Sequence, residues 1–217
     1  MKLYSYFRSS AAYRVRIGLN LKRLAYDYVP VNLLRAEQKS AGYLSRNPQG
    51  LVPALETDDG ALIAQSMAIL EWLEETHPEP ALLPGNPVQR AQVRSMALNI
   101  ACDIHPLNNI AILNYLKREL AADDAQVSAW YGVWVRRGFD AVERTLAETA
   151  GDFCFGDTPT LADCCLIPQV FNADRFEVPT SDYPHIRRIH DHCLTMDAFF
   201  DAAPARQPDA EAQVPPA

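Results

Sequence analysis

The chain has 217 residues, 48% of them apolar and 22% charged, which is the balance of a folded globular protein of one or two domains and excludes a disordered or fibrous one. Its net charge of −7 argues against nucleic acid or an anionic membrane surface as partner, since both repel an acidic protein. No purely apolar run is longer than five residues, far short of a bilayer span.

The opening residues, MKLYSYFRSS, lack the continuous apolar stretch and small-residue cleavage site of a secretory signal. Residues 2–7 are short and rich in β-formers, which predicts a strand. Residues 11–23 (AAYRVRIGLNLKR) carry two conflicting patterns. Tyr13, Val15, Ile17, Leu19 and Leu21 alternate with other residues, as in a strand. Ser9 and Ser10 stand where helix caps belong, ahead of good helix formers. The pattern alone leaves both open. Residues 27–31 (DYVPV) read as an edge strand, because Pro30 has no N–H to give a ladder. Residues 33–49 are polar and irregular and end in the turn signal Asn47-Pro48-Gln49-Gly50.

Residues 51–57 predict a strand entered through Pro53, Asp59-Gly60 a hairpin turn, and residues 61–64 the returning strand. Met67, Ile69, Leu70 and Leu73 form a helical stripe over 67–76, with Ser66 placed to cap it. Residues 77–87 hold four prolines and a glycine and form the clearest linker. Beyond it the chain is helical in character over about 88–120, 125–149, 160–175 and 184–203. Pro106 should distort the first of these about one turn upstream. Thr160-Leu161-Ala162-Asp163 is a capping-box variant that starts a helix at Thr160. Residues 204–217 are rich in proline and poor in large apolar side chains, so a disordered tail is expected there. The domains are therefore 1–80, mixed α/β, and 88–203, all helical.

The charge is uneven. Residues 1–80 are balanced, and the whole net charge of −7 lies in residues 81–217. Arg8, Arg14, Arg16, Lys22 and Arg23 all precede the first acid, Asp27. Lys22 and Arg23 read as a solvated helix face. Arg8, beside two serines at the end of an apolar run, is a better place for a small anion. Five cysteines, an odd number, point to reduced thiols in the cytoplasm and not to a disulfide framework. Cys164 and Cys165 are adjacent on a helix and point apart, so core packing is expected for at least one. His185, His190, His192 and Cys193 lie close in sequence, but on a helix they do not converge on one ion, so no metal site is expected.

Two turns carry more chemistry. At Phe7-Arg8-Ser9-Ser10, free N–H groups of a starting helix and a hydroxyl would converge on a point that stabilises an anion, including a thiolate. Gln65-Ser66 is a second strand-to-helix turn of this kind, suited to a carboxylate.

These residues carry a resemblance. LYSYFRSS, RVRIGLNLK, NPQGLVPALE and QSMAILEWLEE resemble the thioredoxin-like domain of cytosolic glutathione transferases, and in detail the zeta class. ACDIHPLNN and GDTPTLADCCLIPQ resemble that class's helical domain. The resemblance spans about residues 1–203. It implies an α/β thioredoxin-like domain followed by an all-α domain, a helix over 11–23, and a cis bond at Val52–Pro53. It implies glutathione as cofactor, a homodimer, and isomerisation of a maleyl-type dicarboxylate, chiefly maleylacetoacetate to fumarylacetoacetate. Maleylpyruvate as substrate, or conjugation of small electrophiles, are the alternatives.

By position, the resemblance gives Ser9 the bond to the glutathione sulfur and Val52, beside Pro53, a backbone contact to the cysteinyl part. It gives Gln65 and Ser66 the γ-glutamyl carboxylate, and Gln49 and Asn108 further contacts. Arg8 and Arg175 pair with substrate carboxylates, completing a catalytic set with Ser9. His105 and Asp103 are wall residues at most. Two departures stand out. Ala11 occupies a position where the class commonly has cysteine. Ile110 follows Asn108-Asn109 where similar maleylpyruvate isomerases have arginine.

Overall fold

The first strand, β1 (Lys2–Ser5), sits between two neighbours in a four-stranded sheet of order β2-β1-β3-β4. A computed structural model describes residues 1–210. β2 (Asp27–Pro30) runs parallel to β1 at one edge, as the proline required. β3 (Ala54–Glu56) is antiparallel to β1, and β4 (Leu62–Ala64) is antiparallel to β3. The Asp59-Gly60 turn joins β3 and β4, with Gly60 at φ 85° and its N–H donating to the Thr57 carbonyl. β1 and β3 are shorter than the stretches predicted from composition.

Residues 10–21 are a helix, α1 (Ser10–Leu21), started by Ser9, whose Oγ accepts from the Ala12 N–H at 3.2 Å. The strand-like alternation misled because residues on both phases are buried: Arg14, Arg16 and Gly18 are as enclosed as Val15, Ile17 and Leu19. Gly18 lets α1 close on the helix after β4, α3 (Ser66–Thr76), where an added Cβ would lie 2.3 Å from Leu70 Cδ2. Between β2 and β3 lie a short helix, α2 (Ala41–Leu44), and the Asn47–Gly50 turn.

Lys22 departs from the expected solvated face. Its side chain is fully buried and donates to Glu74 Oε2 at 2.9 Å and to the carbonyls of His77 and Pro80. Arg23 is exposed, as expected. The Val52–Pro53 and Glu79–Pro80 peptide bonds are cis.

The chain divides into two units, Met1–Leu82 with the segment from Leu194 on, and Leu83–Cys193. The short helix Asp197–Phe200 thus joins the first unit instead of the helical domain where the sequence placed it. Three buried or half-buried polar side chains of α1 hold this segment: Tyr13 Oη donates to the Phe199 carbonyl, Arg16 Nε to that of Ala202, and Asn20 Nδ2 to that of Ala198. Nor is residue 204 the start of a disordered tail. Pro204–Arg206 form a 3-10 turn, and Gln207, buried, caps it by donating to the carbonyls of Asp201 and Ala203. The rest of the expected tail, 211–217, lies outside the described residues.

The second unit contains α4 (Pro87–Leu98), α5 (Ile110–Arg118), α6 (Asp124–Thr149), α7 (Leu161–Arg175) and α8 (Pro184–Cys193). Pro106 acts as expected. Upstream of it residues Asn99–Ile104 form a π-helix, and the His105 N–H reaches the Ile100 carbonyl, five residues back. α7 is buried almost throughout and opens on the Thr160 box. Its Asp163 is completely buried and accepts from the N–H groups of Cys154 and Thr160 and from Thr160 Oγ1. Burial raises the Asp163 pKa, and those hydrogen bonds oppose the rise. Among the described residues no helix is long and apolar enough to cross a membrane.

Candidate active site

The sheet register brings the expected site residues of the first unit to one end. β1 ends at Ser5 and leads into the Arg8-Ser9 turn. Because Tyr4 pairs with Ala54, the start of β3, just after Val52-Pro53, lies at that same end. Because Ala54 pairs with Ala64, the end of β4 lies there too, and Gln65-Ser66 follow directly. Three segments far apart in sequence thus converge through antiparallel pairing.

Ser9 is the N-cap of α1. Its hydroxyl oxygen accepts from Ala12, and its O–H makes no other hydrogen bond among the described residues. Ala11, in the first turn of α1, leaves no thiol there. Arg8 donates from Nη2 to Tyr6 Oη at 3.0 Å and lies over the Phe7 ring, 5.0 Å from its centroid. Its Nε is buried without a hydrogen bond among the described residues. A cation with one buried donor unspent, next to a hydroxyl with its proton uncommitted, suits an anionic ligand.

Val52 is buried. The Leu51 carbonyl before it is held by Tyr43 Oη at 2.7 Å and Asn47 Nδ2 at 2.8 Å. Burial raises the Tyr43 pKa, so it remains a donor at neutral pH. Gly50, at φ 61°, completes this turn where a Cβ would lie 2.9 Å from the Gln38 carbonyl oxygen.

The second turn differs from expectation in its cap. Gln65, not Ser66, is the N-cap of α3, and Ser66 is the first helical residue. Gln65 has φ 73° and ψ 120°, a strained backbone for a residue with a side chain. It makes no capping hydrogen bond. Its Nε2 instead donates to Gln49 Oε1 at 2.8 Å, so two expected ligand residues lie side by side. Ser66 is buried, and its Oγ accepts from Arg14 Nη1 at 3.3 Å. A helix N-terminus without a side-chain cap, backed by a buried guanidinium, favours a carboxylate.

The remaining expected residues belong to the helical unit. Asn108 is buried and donates from Nδ2 to the Tyr131 carbonyl, while its Oδ1 has no hydrogen bond among the described residues. Arg175 is exposed at the end of α7, with its guanidinium over the Phe176 ring, which stacks on Tyr131 at 4.0 Å. His105 is half-buried next to the π-helix, and Asp103 is exposed. Sequence reasoning assigned no role to Tyr6, Arg14 or Asp209, all of which touch the two turns. Arg14 carried a signal, as one of the basic residues before Asp27. Asp209 carried none.

The model of the glutathione S-transferase N-terminal domain matches residues 8–76, and that of the glutathione S-transferase C-terminal domain matches residues 124–192. The maleylpyruvate isomerase of Ralstonia sp is 50% identical over 212 residues, 97% of this chain and all of the relative. The maleylacetoacetate isomerase of Pseudomonas aeruginosa is 49% identical over 214 residues, 98% of this chain and all of the relative. A solved holo structure of maleylpyruvate isomerase, described as a bacterial glutathione S-transferase of the zeta class, matches with a TM-score of 0.94 and 49% identity, over 97% of this chain and all of that one. With its paired strand-to-helix turns and its full-length likeness to these proteins, the chain belongs to the zeta class of the glutathione S-transferase family.

Proposed function

We propose that this protein is a glutathione-dependent cis–trans isomerase of maleyl-type dicarboxylates, acting chiefly on maleylacetoacetate. The observation that carries the reading is the convergence of the uncommitted Ser9 hydroxyl, the Val52–Pro53 segment and the uncapped start of α3 at one end of the sheet. These residues fit glutathione: a donor for its sulfur, a backbone edge for its cysteinyl part, and a carboxylate site at Gln65-Ser66. Gln49 and Asn108 are further contacts in this reading.

When bound, glutathione would supply a thiolate nucleophile for reversible addition to the activated cis double bond, so it would not be consumed. The protein's part is to favour the anion and hold the substrate. A free thiol titrates near ~8.5, and a hydroxyl donor at a helix N-terminus lowers that value. Arg8, next to Ser9 with its Nε unspent, pairs with a substrate carboxylate and with charge developing on the substrate carbonyl. Arg175 is the second carboxylate partner. No protein thiol is needed, consistent with Ala11.

Maleylacetoacetate is favoured over maleylpyruvate by Ile110, exposed at the start of α5, where similar maleylpyruvate isomerases carry arginine. The reading includes a cytoplasmic homodimer. Four of the five cysteines are buried and all five are free. Exposed Leu51, Val88 and Leu98 are apolar side chains that association would cover. The decisive assay compares maleylacetone with maleylpyruvate, with and without glutathione. We expect turnover only with glutathione, full recovery of the glutathione, and preference for maleylacetone. Turnover in thiol-free buffer, or a conjugate as the sole product, would refute the reading.

A further inference from the structure

Both backbone groups of Phe7, the residue before Arg8, are held by side chains: the N–H by Asp209, 202 residues away, and the carbonyl by Arg16 of α1. Its N–H donates to Asp209 Oδ2 at 3.0 Å. Its carbonyl accepts from Arg16 Nη2 at 3.1 Å, and the same guanidinium donates to the Ala202 carbonyl at 2.8 Å and to Ser5 Oγ at 3.2 Å. The other oxygen of Asp209 accepts from Tyr28 Oη at 2.6 Å, on the edge strand β2. Tyr28 stays protonated, since burial and this acceptor raise its pKa. Residues 202–209 thus form a strap, closed on itself by Gln207, whose Asp209 holds the Phe7 N–H while Arg16 of α1 holds both the Phe7 carbonyl and the strap's Ala202 carbonyl.

We propose that Asp209 is a positioning residue for glutathione activation. By fixing the Phe7 N–H it sets where the next two residues present the Arg8 guanidinium and the Ser9 hydroxyl. The proposal rests on the reading that the Ser9 turn binds the glutathione sulfur. An ordinary tail would need no charged group here. A carboxylate that bridges the turn and the edge strand transmits the fold of residues 202–209 to the site. Arg16, from α1, is a nearby cation that interacts with Asp209.

The test is the thiol pKa of glutathione bound to the full-length protein, read from thiolate ultraviolet absorbance against pH, with steady-state kinetics alongside. In Asp209→Ala the bound thiol pKa should rise toward its free value, and kcat/KM for glutathione should fall about ten- to a hundredfold, the size of a lost hydrogen bond to a charged group. Tyr28→Phe, which leaves the Phe7 bond in place, should change both less. Asp209→Glu should restore part of the effect. If Asp209→Ala does not fold, Asp209→Asn, which keeps an acceptor but loses the charge, must show a smaller rise. Ser9→Ala separates the two layers. If Ser9→Ala raises the thiol pKa and the Asp209 variants lower only thermal stability, Asp209 is structural and the proposal fails alone. If Ser9→Ala leaves the thiol pKa unchanged, the reading of the turn fails and the proposal with it.

Discussion

Replacing Lys22 with Met should destabilise the protein strongly while leaving the glutathione site intact. Lys22 Nζ has three acceptors: Glu74 Oε2 at 2.9 Å and the carbonyls of His77 at 2.6 Å and Pro80 at 3.0 Å. Neither charge has water to fall back on, since the lysine side chain is 0% exposed and the glutamate 5%. Glu74 also accepts from the Leu82 N–H at 2.9 Å, so the pair ties the ends of α1 and α3 to residues 77–82. Removing the lysine leaves the buried Glu74 carboxylate without its cation and takes a donor from the two carbonyls. Such a break costs about 3–5 kcal/mol. For a protein of this size that lowers Tm by roughly 6–20 °C, at about 2–4 °C per kcal/mol. Glu74→Gln should cost less, because the amide still accepts from Lys22 or Leu82. The double variant Lys22→Met with Glu74→Leu should regain much of the loss, since an apolar pair leaves no buried charge. α1 is about 18 Å long, and the pair sits at the end opposite Ser9. Glutathione KM at a permissive temperature should therefore stay within about twofold, less than the effect of one neutral hydrogen bond. Thermal unfolding of the three variants, with KM measured below the transition, checks this. A single variant that costs under ~1 kcal/mol, the range of an exposed pair, would refute the argument, as would a double variant worse than Lys22→Met.

Three other outcomes are expected. Arg175→Ala should lower kcat/KM for maleylacetone about ten- to a hundredfold, spare glutathione affinity, and leave a neutral aryl halide nearly unaffected; equal effects on both substrates would remove Arg175 from the site. Of the five free cysteines only Cys102 is exposed, and burial pushes the Cys154 and Cys193 thiols well up, so thiol titration of the native protein near neutral pH should find one rapidly reacting group and the denatured protein all five. Glutathione-disulfide exchange should be weak beside isomerisation, because Ala11 leaves no thiol at the Ser9 turn, and a rate on a disulfide substrate rivalling the isomerase rate would contradict this.

What the sequence determined by itself are the features set within a few residues. Pro30 placed β2 at an edge because a missing N–H cannot enter a central ladder. Asp59-Gly60 marked a hairpin because glycine accepts positive φ. Thr160 and Asp163 marked a helix start because a carboxylate three residues on reaches back to the cap. The Ser9 cap of α1 was legible for the same reason. Tertiary structure decided the rest. Residues 11–23 became helix although they alternate, because both phases of the alternation are buried. Ser66 gave up the cap to a strained Gln65, whose side chain is held by Gln49 from another turn. Lys22 went inside because Glu74, 52 residues away, was there to meet it. Residues 202–209 folded back because Phe7 and Tyr28 offered donors to Asp209, 202 and 181 residues distant. Contacts of that range depend on where the sheet register and helix packing put the two ends, and no local pattern encodes them.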